Sequence, residues 1–430
     1  MALRPGVSLE IQVVQLVAAR LGRMSMITSW CVSRRTCPVT ALATSRRRLL
    51  AGLASPCFSV LQAASVARLV LRVDVAAPTK DKPQSKLWFA HGSWWAWLPV
   101  QHGSSIWRRL AAGWERQPEL DAALQGLPGQ ADVWAEGDTV CSVLVEPRRL
   151  AVVRLKWDSG RRSYRLAAEP ARFAMPEGGE PVETATIARD GSQRWWIAYN
   201  FRRKMLARTS RSAAGDDWTE PIAVGEQLAS EDDICAIAAM PGGVGVVWSD
   251  QDHEAVYFRR HSDGAAPESW EVIEIAEQGG KTADDHISLA VARDGTLYAA
   301  TKNSVDRVDH PQHVLRVRDP RGKWSNHPYA PLTREHQPTR PIVQLVEEPA
   351  RLYLLHTVGL RGREPTHSSI VVQTADPKRP DPTGTARTLI DGATAVNNVT
   401  GSKAPLPRQG PWIVLASDAA GNVYEARLDG

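Results

Sequence analysis

Three adjacent side chains that could transfer protons stand near the middle of the sequence: Asp284, Asp285 and His286. Carboxylates that lie close together raise one another's pKa, and a carboxyl group with a raised pKa can act as a general acid or base. Cleavage of a glycosidic bond commonly uses two such groups, one on each side of the bond. The cluster therefore indicates glycan chemistry, provided that the fold brings another acidic group beside it.

The cluster directly precedes the pattern of a β-hairpin. Ile287, Leu289 and Val291 alternate with smaller or polar residues, which is the period of a half-buried strand. A tight Asp-Gly turn follows at 294–295, and a second alternating strand begins at Leu297. The sequence thus predicts a hairpin with the polar cluster at its leading edge.

Seven segments of the chain share this strand–turn–strand pattern, and they start about 50 residues apart, in the range of propeller blades. They are Ser85–Pro99, Gln130–Pro147, Glu183–Asn200, Asp232–Asp250, Asp284–Asn303, Thr339–Thr357 and Asn397–Asp418. A third strand is plausible after all but the first, at Leu150–Lys156, Lys204–Arg208, Val256–Arg260, Val314–Arg318, Ile370–Thr374 and Val423–Leu428. Turns that end at Trp218, Trp270 and Trp324 follow three of these strands, and each Trp is predicted to pack between blades.

The pattern predicts an all-β chain that folds as a seven-bladed β-propeller with four-stranded antiparallel blades. A six-bladed ring is the alternative, if the weak copy at Asn397 merges with its neighbour. The last copy ends after its third strand, and we expect the alternating segment Ala67–Val75 to supply the missing outer strand. This pairing would close the ring and cover an unpaired sheet edge.

Residues 1–67 have the composition of a leader, and residues 68–430 are predicted to form a single propeller domain. Three arginines, Arg46–Arg48, precede an apolar run and small residues that end at Ala67. This layout predicts a secretory signal of the twin-arginine type and an exported, periplasmic or extracellular protein. A disordered or amphipathic extension is the alternative.

The charge distribution argues against a nucleic-acid partner. The net charge is +5, but eight of the 52 basic residues and only one of the 47 acidic residues lie in residues 1–67, so the remainder is nearly neutral. No clustered Lys or Arg stands out there, as a phosphate-binding surface would require. Cys141 and Cys235 lie within predicted strands and are expected to be small buried hydrophobic residues. We expect that the mature chain has no membrane span and that it is a monomer.

Ring geometry would gather the residues that precede each inner strand at one face of the propeller. The predicted catalytic groups are Asp233, Asp285 and His286. The predicted ligand-binding residues are Asp132, Glu183, Thr184, Asp232, Asp284, Lys302, Arg340, Asn397, Asn398 and Lys403. No cofactor or metal is expected; carboxylates around a channel could hold Ca²⁺, but no loop has calcium-site spacing. In the alternative interpretation, each Asp binds backbone N–H groups and fixes a loop, while Arg340 neutralises the acids.

Several runs, among them ETATIA, DDICAIAAMPGGVGVVWSDQ and ADDHISLAVARDGTLYAATK, resemble exported bacterial propellers of the sialidase-like, neuraminidase-repeat family. The Trp turns likewise resemble the Asp-box turns of that family, which are structural. The resemblance covers roughly residues 83–430; it implies the propeller fold and an extracytoplasmic location, and it supplies no catalytic residue. The Arg-Ile-Pro motif of true sialidases is missing, and Arg340-Pro341-Ile342 is only loosely similar to it.

Three functions fit these observations. The first is binding of a glycan or another small polar ligand at the central funnel. The second is a glycoside hydrolase or polysaccharide lyase that uses paired carboxylates at the same funnel. The third is a structural or protein-interaction propeller. Since a fold alone does not give a function and the sialidase motif is missing, the sequence favours binding slightly over catalysis.

Overall fold

A computed structural model describes residues 68–80, 82–362, 367–391 and 395–429. These residues form seven small antiparallel sheets, which are the seven blades of a β-propeller. The prediction of seven blades is therefore confirmed, and the six-bladed alternative is wrong. The predicted leader, with its arginines and its three cysteines, lies outside the described residues.

The strands follow the chain from blade to blade, and each blade is built from the centre of the ring outward. Strand β1 is Arg68–Arg72; blade 1 contains β2 (Leu87–Ala90), β3 (Ser93–Val100), β4 (Gly103–Leu110) and β5 (Gly113–Arg116). Blade 2 contains β6 (Gln130–Glu136), β7 (Thr139–Glu146), β8 (Arg149–Asp158), β9 (Ser163–Leu166) and β10 (Ala171–Ala174). Blade 3 contains β11 (Ala185–Arg189), β12 (Trp195–Phe201), β13 (Lys204–Thr209) and β14 (Ile222–Ala223). Blade 4 contains β15 (Cys235–Met240), β16 (Gly243–Asp250), β17 (Ala255–Ser262) and β18 (Glu274–Gln278).

The second half of the ring has the same plan. Blade 5 contains β19 (Ile287–Val291), β20 (Leu297–Lys302), β21 (Pro311–Arg318) and β22 (Trp324–Pro331). Blade 6 contains β23 (His336–Glu347), β24 (Ala350–Leu360), β25 (Ser368–Asp376) and β26 (Arg379–Asp391). Blade 7 contains β27 (Asn397–Thr400), β28 (Ile413–Ser417) and β29 (Asn422–Arg427), with β1 as its outer strand. The only helices among the described residues are a 3₁₀ turn, Pro118–Leu120, and a short α-helix, Asp121–Leu124.

The ring closes through the segment that follows the predicted leader. Strand β1 pairs antiparallel with β29, with Arg68 opposite Glu425 and Arg72 opposite Asn422. The backbone N–H of Val73 continues the pairing by donating to the carbonyl of Gly421 at 2.9 Å. The predicted closing strand near residues 67–75 is thus confirmed, and it covers the edge of blade 7.

Apolar side chains fill the space between blades, because both faces of each sheet are covered by its neighbours. All seven residues of β12 (WWIAYNF) and all eight of β16 (GVGVVWSD) are buried. The predicted role of the Trp turns is confirmed: Trp218 packs on Phe173, Trp270 on Trp196 and Trp324 on Phe258, with ring centroids 5.6, 5.5 and 5.8 Å apart. In each pair the partner ring belongs to the preceding blade.

The inner strands are joined around the ring by side-chain hydrogen bonds. One edge of each inner strand faces the channel and meets the neighbouring inner strand only at isolated backbone contacts, such as the Leu87–Ser402 bridge, so N–H groups along it need other acceptors. Five side chains, which we call the inner-strand belt, supply these acceptors: Asp132, Thr186, Ser288, Gln344 and Thr400. Asp132 accepts from the N–H groups of Ser85 (2.8 Å) and Ile187 (2.7 Å), and Thr186 accepts from that of Ile237 (2.9 Å). Ser288 accepts from the N–H of Val343 (3.3 Å), Gln344 from that of Ser402 (2.9 Å) and Thr400 from that of Lys86 (3.1 Å).

Two further sequence predictions concern single features. Cys141 and Cys235 are buried and unbonded, as expected for small core residues. Within the described part of the chain, neither helix has the length and apolar character needed to cross a bilayer.

Candidate functional site

The central channel has two different ends because neighbouring inner strands run the same way. Parallel bridges between Leu87 and Ser402 and between Val346 and Leu406 show this common direction. Residues that precede the inner strands therefore meet at one end, and residues at the strand ends meet at the other. We call the first end the mouth (Lys82, Glu183, Asp232, Asp284, Asp285, His286 and Arg340). The second end is an open cavity, which we call the funnel.

The imidazole of His286 is the centre of the mouth's hydrogen bonds. Its Nδ1 contacts Asp285 and lies 2.9 Å from Oδ1 of Asp284, while its Nε2 lies 3.5 Å from Nη1 of Arg340. Burial lowers the pKa of His286 to about 4, although the bond to Asp284 acts in the opposite direction. At neutral pH the ring is then uncharged, with Nδ1–H as donor and Nε2 as the acceptor that faces the arginine.

The Asp284 carboxylate is held in its charged form. Its Oδ2 lies 2.5 Å from Nζ of Lys302, and its Oδ1 accepts from His286. Burial pushes the pKa of Asp284 upward, but the His286 and Lys302 contacts outweigh it, so the pKa is lowered. Asp284 therefore orients the imidazole and does not carry a proton that it could donate near neutral pH.

Carboxylates from three blades come together at the mouth. One oxygen each from Glu183, Asp232 and Asp285 lies within 4.8 Å of the other two. The ammonium of Lys82 contacts Asp285 and lies 3.0 Å from Oε1 of Glu183. A Ca²⁺ ion, which the sequence left open, would have to displace this ammonium from two of the three carboxylates.

Lys82 was missed in the sequence. It precedes the first inner strand just as the acidic residues precede the others, so the same rule would have found it. The first predicted hairpin begins at Ser85, three positions after Lys82.

A strap formed by residues 79–80 and 82–84 covers the mouth. Thr79 is anchored to Oγ of Ser417 through its backbone N–H at 3.1 Å and its hydroxyl at 2.6 Å. On the other side, Nε2 of Gln84 donates to the carbonyl of Ala185 at 3.1 Å. The space left between the strap, Arg340 and Asn398 is only about 20 Å³, no more than a single water could occupy.

Asp233, a predicted catalytic residue, is fully buried beside the mouth. Its carboxylate accepts from the N–H groups of Ser230 (2.7 Å) and Gln251 (3.0 Å) and from the Gln251 amide (3.1 Å). Burial raises the pKa of Asp233, and these bonds oppose the shift. Such contacts fix the loop before β15, as in the alternative interpretation. The carboxylates that lie next to Asp285 are those of Glu183 and Asp232.

Two predicted binding residues lie deeper in the channel than the mouth. Asp132 is fully buried in the inner-strand belt, and its carboxylate contacts Nζ of Lys403. The same ammonium donates to the carbonyl of Ile187 at 2.7 Å. Burial lowers the pKa of Lys403, while Asp132 acts in the opposite direction. This ion pair joins blades 2, 3 and 7.

The remaining predicted residues adjoin the mouth. Thr184 is fully buried next to Glu183. Asn397 accepts from the hydroxyl of Thr357 at 2.9 Å and from the N–H of Asn398 at 2.8 Å, which shapes the loop at the start of β27. Asn398 borders the small space beside Arg340. The binding and catalytic roles of all these residues stay predictions.

The funnel has a volume of about 500 Å³ and opens where the inner strands end. Its walls are mainly small or apolar side chains, including Ala236, Ala238, Met240, Leu289 and Val291. Polar side chains border it at Ser85, Glu136, Thr186, Arg293, Glu347 and Lys403. A groove of about 220 Å³ adjoins it and shares Ala135 and the Lys403–Pro405 segment.

The ligand site predicted from the sequence is the acidic end of the channel, which is the mouth. Sequence reasoning missed the cavity at the opposite end because it followed charged residues. The available signal was the alanines on two inner strands, Ala236, Ala238 and Ala239 in β15 and Ala290 in β19. Small side chains on an inner strand leave space along the axis, whereas large ones would fill it.

No family model matches the chain, and no curated protein matches it. Among solved structures, an α-L-arabinanase from Penicillium chrysogenum is 12% identical with a TM-score of 0.44 and covers 73% of this chain and 99% of its own. The WD40 domain of a Toxoplasma gondii coronin is 12% identical with a TM-score of 0.43, covering 84% of each chain. The Aleuria aurantia lectin, described as a six-bladed fucose-recognising propeller, is 12% identical with a TM-score of 0.37 and covers 56% of this chain and 74% of its own. Such low similarity transfers no functional residue to this chain.

Proposed function

We propose that this protein is a binding propeller that holds a carbohydrate or a related compact ligand in the funnel. The observation that carries the proposal is the position of open space along the channel. The funnel's volume of about 500 Å³ falls in the usual range for ligand sites, whereas the space between the strap, Arg340 and Asn398 at the mouth is about 20 Å³. A ligand therefore has room at the strand-end face.

The lining of the funnel suits a molecule with an apolar face and a polar edge. Alanine, leucine and valine walls can cover the C–H face of a sugar ring, and Trp134 adds an aromatic surface at the side. Polar groups at the rim and the floor can bind hydroxyl groups. This division of apolar and polar surface is the basis for naming a carbohydrate.

Both carboxylates in this lining are already paired with arginines. Oε2 of Glu136 lies 3.3 Å from Nη1 of Arg189, and Oε2 of Glu347 lies 2.9 Å from Nη2 of Arg293. Each of these carboxylates therefore already has a cationic partner and is not free to contact a ligand by itself. The funnel therefore supports binding better than catalysis.

Hydrolysis or elimination at the mouth is the second candidate. The observation that favours it is the convergence of Glu183, Asp232 and Asp285 beside an uncharged His286. This candidate requires the strap to leave, so that Lys82 releases Asp285. Export through the leader and the likeness to sialidase-like propellers are further parts of the proposal, and they rest on sequence patterns alone.

A glycan-array screen of the full chain, followed by binding measurements on its best ligand, tests the proposal. Ala404→Trp adds bulk where the funnel and the groove meet, on a half-buried segment outside the strands. We expect it to weaken binding at least about tenfold, or roughly 1.4 kcal/mol. The matched control is Lys82→Met at the mouth, which should leave affinity unchanged.

Other outcomes separate the candidate functions. Loss of binding in Lys82→Met together with full binding in Ala404→Trp would move the ligand to the mouth. Release of shorter oligosaccharides, detected by chromatography, would instead favour the hydrolase or lyase. Absence of any glycan ligand in the screen would leave the interaction propeller as the better hypothesis.

A further inference from the structure

Behind the mouth, between blades 5 and 6, three polar side chains are buried without hydrogen-bond partners for some of their atoms. His313, His356 and Tyr329 are 0%, 2% and 5% exposed. The atoms without a partner are Nδ1 and Nε2 of His313, Nδ1 of His356 and Oη of Tyr329. Buried polar atoms are nearly always paired, so four unpaired ones in one cluster mark a candidate ligand site.

The three rings pack against one another in edge contacts. The centroids of His313 and His356 are 4.8 Å apart with an interplanar angle of 80°. The Tyr329 centroid lies 5.3 Å from that of His313 and 6.2 Å from that of His356. His313 and Tyr329 face each other across β21 and β22, and His356 comes from β24 of the next blade.

We infer that His313 and His356, with Tyr329 as a third ligand, bind a divalent transition-metal ion of the zinc class. Imidazole nitrogens suit zinc and copper, whereas Ca²⁺ and Mg²⁺ prefer oxygen. Two imidazoles on one tetrahedral Zn²⁺, with Zn–N distances of about 2.0–2.1 Å, place their ring centroids about 5 Å apart. The observed His313–His356 separation of 4.8 Å matches this arrangement.

Both imidazoles are in the protonation state that a metal needs, whereas burial raises the pKa of Tyr329, so its phenol has to release a proton to the solvent when it binds the ion. Burial holds the pKa of His313 well below its usual range and lowers that of His356 to about 3. At neutral pH each ring is therefore neutral and has a free lone pair. The neighbouring cation, Lys302, faces His313 across β20 and β21 and is neutralised by Asp284 at 2.5 Å.

The inferred role is structural. The ligands come from two adjacent blades, so the ion would join them next to the loop that carries His286. Because the site is buried, metal would enter during folding, and its binding free energy would add to the stability of the folded ring.

The test uses the full chain, unfolded in denaturant with a chelator, refolded with excess Zn²⁺ and freed of loose metal by desalting. We expect roughly one zinc per chain by elemental analysis, and a higher unfolding temperature than for protein refolded with chelator. Refolding with Co²⁺ should produce the visible absorption of a tetrahedral site. His313→Ala and His356→Ala should each lose most of the metal.

Two controls keep the test decisive. Asp285→Asn alters the acidic mouth, which is the other place where carboxylates and a histidine converge, and it should retain the metal. His261→Ala removes a buried histidine whose Nε2 bonds the carbonyl of Ala266 at 2.9 Å, and it should also retain the metal. Metal-free wild-type protein after refolding overturns the inference and leaves ordered water as the occupant. Retention of zinc in the His313→Ala and His356→Ala variants, or its loss only in Asp285→Asn, also overturns it.

Discussion

The mouth and the funnel are opposite ends of one channel built by the same seven inner strands, yet the strap crosses the mouth, whereas the funnel is an open cavity. The mouth collects acidic residues, and the chain covers them with the strap and with the ammonium of Lys82. The funnel collects alanines and other small apolar residues, and about 500 Å³ stays accessible there. The difference teaches that convergent charge by itself does not mark an open ligand site.

The physical reason is the cost of removing charge from water. Carboxylates gathered in a partly buried ring repel one another, so the fold needs a cation close to them. Lys82, Lys302 and Arg340 meet that need from the chain itself. Alanine walls require no such compensation, so they can line an empty cavity.

The largest effect is expected in the belt that lies between the two ends. Asp132→Ala leaves the Lys403 ammonium buried without its carboxylate and frees two backbone N–H groups, at a cost of about 3–5 kcal/mol in the free energy of unfolding. Denaturant titration measures it. The control Ser288→Ala removes a single uncharged belt bond and should cost about 0.5–1.5 kcal/mol.

A double variant sharpens this prediction. Asp132→Ala combined with Lys403→Met leaves no unpaired charge, so it should be more stable than Asp132→Ala alone. Equal stability of Asp132→Ala and Ser288→Ala would mean that the Asp132–Lys403 ion pair stabilises the ring no more than a single uncharged belt hydrogen bond does.

The next effect is expected at the mouth. Lys82→Met removes the cation that bridges Glu183 and Asp285, and we expect a loss of about 1.5–3 kcal/mol, the range for hydrogen bonds to charged groups. Hydrogen exchange of the strap should become faster. Lys80→Met, at an exposed position of the same strap, is the control and should change neither quantity. An unchanged exchange rate in Lys82→Met would show that the strap is held by its other contacts.

The two ends should also differ in their response to pH, because buried histidines lie behind the mouth and none lines the funnel. The folded-state pKa of His356 is lowered to about 3, below the unfolded value near 6.5. As pH falls below 6.5, the unfolded state takes up a proton that the folded state does not, so stability decreases down to about pH 3. Each pH unit in that window costs about 1.4 kcal/mol per such histidine.

Metal-free protein is the material for this measurement. The slope of unfolding free energy against pH should be shallower in His356→Gln by about 1.4 kcal/mol per unit. His336→Gln, at an exposed position, should keep the wild-type slope. A steep slope that persists in His356→Gln would assign the pH response to other groups.

The smallest effect is expected at the funnel rim. Arg293 is 79% exposed and pairs with Glu347 at 2.9 Å, so Arg293→Ala should change the free energy of unfolding by less than about 1 kcal/mol. Denaturant titration measures this as well. If Arg293→Ala lowers the free energy of unfolding more than Lys82→Met does, the funnel rim contributes more to stability than the mouth.

The blades could be predicted because their signals are local. Alternation in residues 287–301, the turn at 294–295 and the closing strand near residues 67–75 depend on side chains a few positions apart, and the strands Ile287–Val291, Leu297–Lys302 and Arg68–Arg72 occur there. The gathering of Glu183, Asp232 and Asp285 at one end also follows from ring geometry. Lys82 was accessible to the same reasoning, but it lay before the first recognised hairpin.

The sequence by itself determined the seven strand–turn–strand repeats and the end of the ring to which their acidic residues point, because periodicity and turn chemistry act over a few residues. Only the tertiary structure decided that the strap closes the mouth, that Asp132 and Lys403 lie in the belt, and that His313, His356 and Tyr329 meet between blades. Those contacts join residues from different blades, and their distances depend on how the sheets pack around the axis. No pattern within a single blade carries that information.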